Sequence, residues 1–159
     1  MTPCFHRFSH MRWLVSAIFV SAIPSLVYAQ PKCTNADGSL DLIFHETGIV
    51  VGYGAGHGIF TDGARQFPVE IKGGGLLTFG HATLKATACV TNLGRLHDLA
   101  GTYWTIGGAA SITNGIFTAD MENARGVDMH VQGQVQGPLI AGQIARFSLR
   151  FTSDNRPEL

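Results

Sequence analysis

Apolar and polar residues alternate along most of this 159-residue chain, and a period of two dictates strands. From His81 to Asn92 one face reads Ala82, Leu84, Ala86, Ala88 and Val90, against His81, Thr83, Lys85, Thr87 and Thr91. Val127, Met129, Val131, Gly133 and Val135 oppose Asp128, His130, Gln132 and Gln134. Ala145, Phe147, Leu149 and Phe151 oppose Ile144, Arg146, Ser148 and Arg150. Successive strand side chains point to opposite faces, so each segment offers one face to a core and one to water. Asp62-Gly63 before Gln66–Lys72 is a hairpin signature, and Asn123–Gly126 and Gly137-Pro138 punctuate the later strands. Pro68 brings no N–H to a ladder and is expected at an edge or a strand border. Only Asn92–Ala100 departs from the rhythm. Leu93, Leu96 and Leu99 recur every third residue there, as in one helical turn or a packed loop. The pattern predicts an all-β chain: one antiparallel β-barrel or closed sandwich of about seven to nine strands, with one short helical turn near 93–100.

The N-terminal segment obeys a different logic. Arg7 and Arg12 stand in an acid-free stretch, the apolar run Trp13–Ile23 follows, Pro24 breaks it, and Val27-Tyr28-Ala29 places small residues at −3 and −1. That is the three-part layout of a secretory signal, and the run is much shorter than the roughly 20 apolar residues of a membrane span. Cleavage is expected after Ala29. Met11-Arg12-Trp13 by itself opens a signal of ordinary size, so Met11 is the expected start. No twin-arginine pair is present, and Cys33 lacks the small apolar residues that precede a lipidated cysteine, so a soluble exported protein is expected, periplasmic or secreted. The expected organisation is a signal over 1–29, a lead segment over 30–48, a β domain over 49–152 and a tail over 153–159.

Without Arg7 and Arg12, nine basic residues remain against eleven acids. No clustered positive charge of the kind that binds nucleic acid or an anionic membrane is legible in the sequence. Cys33 and Cys89 follow the signal. In an oxidising compartment they are expected to pair, with buried free thiols or pairing between chains as the alternatives. Closing that loop would stabilise by roughly 4 kcal/mol in the chain-entropy model.

The most unusual segment is Ile49-Val-Val-Gly-Tyr-Gly-Ala-Gly-His-Gly-Ile-Phe60. If extended, Gly52, Gly54, Gly56 and Gly58 share one face and Val51, Tyr53, Ala55, His57 and Ile59 the other. The spacing of a dinucleotide fingerprint fails at His57 and Ile59, and no Gly-Lys-Ser/Thr closes a phosphate loop. Two readings remain. Bare glycine lets the strand coil or lets a bulky residue such as Trp104 or Phe79 lie on backbone; or the glycine face, with Tyr53 and Trp104, lines a slot for an apolar or amphiphilic ligand. Gly73-Gly74-Gly75 reads as a connection.

Catalytic candidates are thin. His45-Glu46 with His57 suggests metal ligands, but His-Glu-x-x-His fails because residue 49 is Ile. His97-Asp98 beside Arg95 offers a base and its orienter, and no Gly-x-Ser-x-Gly elbow exists to use them. Glu46, Asp41 and Asp120 are acids without a legible partner spacing. No metal and no cofactor is expected.

The order Gly-x-Gly-x-Gly-Ile-Phe60, Phe67-Pro-Val-Glu-Ile71, Ala86-x-Ala-x-Val-x-Asn-Leu93 and Asp98-Leu-Ala-Gly-Thr-Tyr103 resembles small exported glycine-rich β-barrel proteins of proteobacteria without assigned function. These are distantly similar to SYLF lipid-binding domains and to envelope-integrity β-barrel proteins. The resemblance implies an envelope role with lipid or amphiphile contact and supplies no catalytic motif. The expectation is an exported, non-catalytic envelope protein that binds an apolar or amphiphilic ligand. A small periplasmic hydrolase and a structural or interaction module with a filled barrel are the alternatives.

Overall fold

Among the described residues, eleven strands and one 3₁₀ turn run in the order β1 (Gly38–Gly48), β2 (Gly52–Asp62), β3 (Arg65–Gly74), β4 (Leu77–Thr78), β5 (Gly80–Thr91), the turn Leu96–Leu99, β6 (Gly101–Thr105), β7 (Ser111–Thr113), β8 (Ile116–Asn123), β9 (Asp128–Gln136), β10 (Leu139–Ile140) and β11 (Arg146–Phe151). This computed structural model describes residues 32–48, 52–74, 77–78, 80–106, 111–113, 115–137, 139–140 and 146–152. The signal over 1–29, Phe79, Ile144, Ala145 and the tail over 153–159 lie outside the described residues.

All pairings are antiparallel, in the order β6-β11-β3-β2-β1-β5-β9-β8, and a β6–β8 ladder closes the ring. The result is a closed eight-stranded barrel, within the expected class. The segment expected as a lead, 30–48, carries β1, which pairs on both sides with β2 and β5. Its alternation explains why: Leu40, Leu42, Phe44 and Glu46 are buried while Asp41, His45 and Thr47 are exposed. The β domain therefore begins at Gly38.

The connectivity is two Greek keys, each a strand order of 4-1-2-3. The first is β5-β1-β2-β3 and the second β11-β6-β8-β9, joined at the seams β3–β11 and β9–β5. The two crossovers, β3 to β5 and β9 to β11, leave and re-enter at the same end of the barrel. There they pair through β4 and β10, Leu139 opposite Thr78 and Ile140 opposite Leu77. A glycine marks each seam. A Cβ on Gly73 of β3 would lie 2.3 Å from the carbonyl oxygen of Arg146, and one on Gly133 of β9 would lie 2.3 Å from that of Lys85. No side chain fits such a gap, so each seam meets through bare backbone at that one position.

Eight strands enclose a space just wide enough for side chains to fill. Leu40, Leu42 and Phe44 of β1 supply bulk, and the adjacent strands supply small residues: Gly56 and Gly58 on β2, Ala86 and Ala88 on β5. Phe60, Ile71, Tyr103, Phe117, Met121 and Met129 complete a continuous core. Tyr103, fully buried in the middle of β6, donates its hydroxyl to the Leu99 carbonyl 2.8 Å away and so locks the 3₁₀ turn onto the barrel. Burial pushes its phenol well above the ordinary range for ionisation.

The turn chemistry follows the sequence closely. Gly63, at φ 58°, takes the first of two loop positions between Asp62 and Arg65, where a tight hairpin needs a positive φ. Asn123 closes the β8–β9 turn, its side-chain oxygen accepting from the N–H groups of Arg125 and Val127. Pro68 lies inside β3, which has neighbours on both sides. Its carbonyl accepts from the Thr152 N–H at 3.1 Å, so its nitrogen faces the side where β11 has just ended opposite Val69. Pro68 is thus neither on an edge strand nor at the border of its own; β3 tolerates it because its missing N–H faces the side where β11 has ended. Cys33 and Cys89 form a disulfide with Cα atoms 5.2 Å apart, stapling the segment before β1 onto the outside of β5.

Candidate functional site

The glycine face of β2 points into the barrel and is covered. A Cβ on Gly56 would lie 2.3 Å from the Ile43 carbonyl oxygen and 2.9 Å from the Phe44 Cα. On Gly58 it would meet the Asp41 carbonyl at 2.5 Å and the Leu40 side chain at 2.9 Å, and on Gly54 the Phe44 ring at 2.5 Å. The residues lying across the bare strand are therefore Leu40 and Phe44 of β1, and Trp104 is not among those nearest atoms. A void of about 40 Å³ remains beside them, lined by Phe44, Glu46, Ile71, Leu84 and Phe117. It has room for a few waters and is far smaller than the several hundred Å³ of a ligand pocket.

The six residues singled out as a ligand slot thus divide between two sides of the wall. Gly54, Gly56 and Gly58 belong to the inner face, which Gly52 shares by alternation, whereas Tyr53 and Trp104 project outward, 67% and 38% exposed. The same alternation divides His45, Glu46 and His57. Glu46 is inside at 2% exposure, while His45 sits outside, 3.1 Å from the Thr83 hydroxyl, and His57 is exposed on β2. One metal ion cannot be shared across the wall. Among the described residues no group of three or more His, Cys, Asp or Glu is placed to hold one.

His97 and Asp98 sit at the opposite end from the crossovers. The Asp98 carboxylate lies 3.1 Å from His97 Nε2, 3.6 Å from Arg95 Nε and 3.8 Å from Arg125 Nε, and its backbone carbonyl accepts from Asn123 Nδ2. This hub binds the 3₁₀ turn to the β8–β9 turn. His57, on the outer face of β2 and opposite Ile43 and Glu70 in register, belongs to a different surface.

The outer wall of β2, β3, β11 and β6 presents a more coherent arrangement. The antiparallel registers align Trp104, Arg146, Gly74 and Tyr53 in one row across four strands. Ser148, Lys72 and Ala55 form the next row, and Arg150, Glu70 and His57 the third. Gly74 brings no side chain to the outer face, which leaves a gap between Tyr53 and Arg146. Tyr53, Glu70, Lys72, Gly73, Ser148 and Arg150 line a groove of about 260 Å³. Lys72 Nζ and a Glu70 carboxylate oxygen are 4.0 Å apart, and the hydroxyls of Thr102 and Ser148 are 3.0 Å apart. Among the described residues the large hydrophobic side chains left exposed are Tyr53, Ile59 and Trp104, and all three stand on this wall.

The sequence reading found Tyr53 and Trp104 and missed Glu70, Lys72, Ser148 and Arg150. Alternation does assign those four to a polar face. Nothing local says that β3 and β11, more than seventy residues apart, are neighbours.

No protein-family model matches this chain, and no curated protein matches it. Among solved structures it is similar to a crystal structure of a β-barrel-like, uncharacterised protein from Brucella abortus, at 18% identity and a TM-score of 0.52, over 72% of each chain. The likeness is one of fold, and it joins this chain to a small β-barrel protein of unassigned function, the coarse form of the resemblance read from the sequence.

Proposed function

We propose that this chain is an exported, non-catalytic binding module that contacts an amphiphilic ligand through the outer wall β2-β3-β11-β6. One observation carries the reading: Tyr53, Ile59 and Trp104 are exposed on the same wall of a barrel whose interior is occupied by its own side chains. Tyrosine and tryptophan pair an apolar body with a polar tip and suit a boundary where one end of a ligand is apolar and the other wet. The signal over 1–29 supports export, and the Cys33–Cys89 disulfide suits an oxidising compartment. The distant similarity to SYLF lipid-binding and envelope-integrity proteins favours the same ligand class.

Trp13 lies in the signal over 1–29, so in the chain from Gln30 onward Trp104 is the sole tryptophan reporter. Titration with lysophosphatidylcholine below its critical micelle concentration is expected to shift Trp104 emission to the blue and to saturate. Tyr53→Ser is expected to weaken that binding several-fold. An emission spectrum that does not move up to the micelle concentration overturns the reading.

A further inference from the structure

The charge on this wall says more about the ligand than its aromatic residues do. Lys72, Arg146 and Arg150 occupy three successive outer rows of β3 and β11, against the single carboxylate of Glu70 among them. The chain as a whole is balanced, with eleven basic and eleven acidic residues. The compensating acids lie elsewhere: Asp120, Glu122 and Asp128 are on β8 and β9, and of these only Glu122 approaches the wall, opposite Trp104. Glu70 lies 4.0 Å from Lys72 and stands opposite Arg150 in register, one carboxylate among three cations. The Ser148 hydroxyl adds a neutral donor to the groove. Tyr53 and Trp104 flank this cationic patch, three strand spacings apart, or roughly 14 Å.

Resting on the reading that the wall contacts an amphiphile, we infer that the groove of Tyr53, Lys72, Ser148 and Arg150 receives the anionic phosphate headgroup of a phospholipid. Lys72 and Arg150 both line the groove beside the Ser148 hydroxyl, and charge-assisted bonds from ammonium and guanidinium groups to phosphate are the strong ones. Tyr53 and Trp104 then lie beside the glycerol and the first acyl carbons. A volume of about 260 Å³ suits a headgroup and excludes a whole lipid, so the chains extend outward along the wall.

The test compares lysophosphatidylglycerol with lysophosphatidylcholine of equal chain length, both below micelle formation, by Trp104 emission in the chain from Gln30 onward. The anionic lipid is expected to bind about tenfold more tightly at low salt, with the preference shrinking as salt rises. Lys72→Gln combined with Arg150→Gln is expected to abolish the preference, weakening the anionic lipid by about tenfold and lysophosphatidylcholine, whose choline offsets its phosphate, by much less, while the far-ultraviolet spectrum stays unchanged because both side chains are solvent-facing. Equal affinity for the two lipids, or a preference that survives the double substitution, overturns the headgroup assignment and leaves the amphiphile reading standing. Binding of neither lipid overturns both. Competition by glycerol 3-phosphate as strong as that of the anionic lipid overturns the lipid as the source of the phosphate.

Discussion

Replacing Gly56 with alanine isolates the role of the glycine face in one methyl group. The new Cβ would stand 2.3 Å from the Ile43 carbonyl oxygen and 2.9 Å from the Phe44 Cα, both backbone atoms of the paired strand. No rotamer relieves this contact. Ordinary van der Waals separation requires β1 and β2 to part by roughly 1 Å at the centre of their ladder. Overpacking a close-packed interior costs about 1–3 kcal/mol, and the backbone nature of the contact places this case near the upper end. The smaller entropy of an unfolded alanine chain returns about 0.4–1 kcal/mol. The net expectation is a loss of about 2 kcal/mol, or about 8 °C in Tm for a domain of this size. Urea unfolding followed by Trp104 emission measures it directly. Gly133→Ala, with its own 2.3 Å approach to the Lys85 carbonyl, should lose a similar amount. Gly94→Ala is the control, because its Cβ would meet the Asp98 carboxylate at an ordinary 3.7 Å, and it should stay within about 0.5 kcal/mol of the parent. If Gly56→Ala unfolds at the same urea concentration as Gly94→Ala, strand approach is not what the glycine permits, and the argument fails.

Tyr103→Phe removes a buried hydroxyl that donates to the Leu99 carbonyl and should cost about 1–1.5 kcal/mol in the same urea assay. The folded phenol holds its proton more tightly than the unfolded one, whose ordinary value is near 10. Its contribution is therefore complete below pH 10 and lost as pH rises above it, with a limiting slope of about 1.4 kcal/mol per pH unit. Tyr103→Phe should flatten that alkaline decline; an unchanged slope refutes the assignment. Reducing the Cys33–Cys89 disulfide reopens a loop with a sequence separation of 56 and should cost roughly 4 kcal/mol in the chain-entropy model, read as an earlier urea midpoint for the Cys33→Ser, Cys89→Ser chain. N-terminal sequencing of the exported product should begin at Gln30; a product retaining Met1 or Met11 refutes cleavage.

Strand alternation made much of this barrel legible before any coordinates. Leu84, Ala86, Ala88, Val90, Met129, Val131 and Leu149 all face the core as the period of two requires, because a pleated strand leaves a side chain no other choice. Gly63 and Asn123 were legible as turns, since each carries a local conformational demand. The lead segment was misread. Residues 38–48 have the same alternation as the rest, yet no hairpin signal ties β1 to β5, more than thirty residues onward. The closure of β6 on β8, the seams at Gly73 and Gly133, and the pairing of β4 with β10 depend likewise on which distant strands become neighbours.

The same division governs the two features of β2. By itself the sequence determined that Gly52–Gly58 form one bare face and Tyr53 to Ile59 the other, because the side-chain period is a property of the extended backbone. Only the tertiary structure decided that the bare face lies inward, filled by Leu40, Leu42 and Phe44, and that Tyr53 shares a wall with Lys72, Arg150 and Trp104. Direction relative to a core, and adjacency between strands far apart in the chain, are set by how the whole barrel closes.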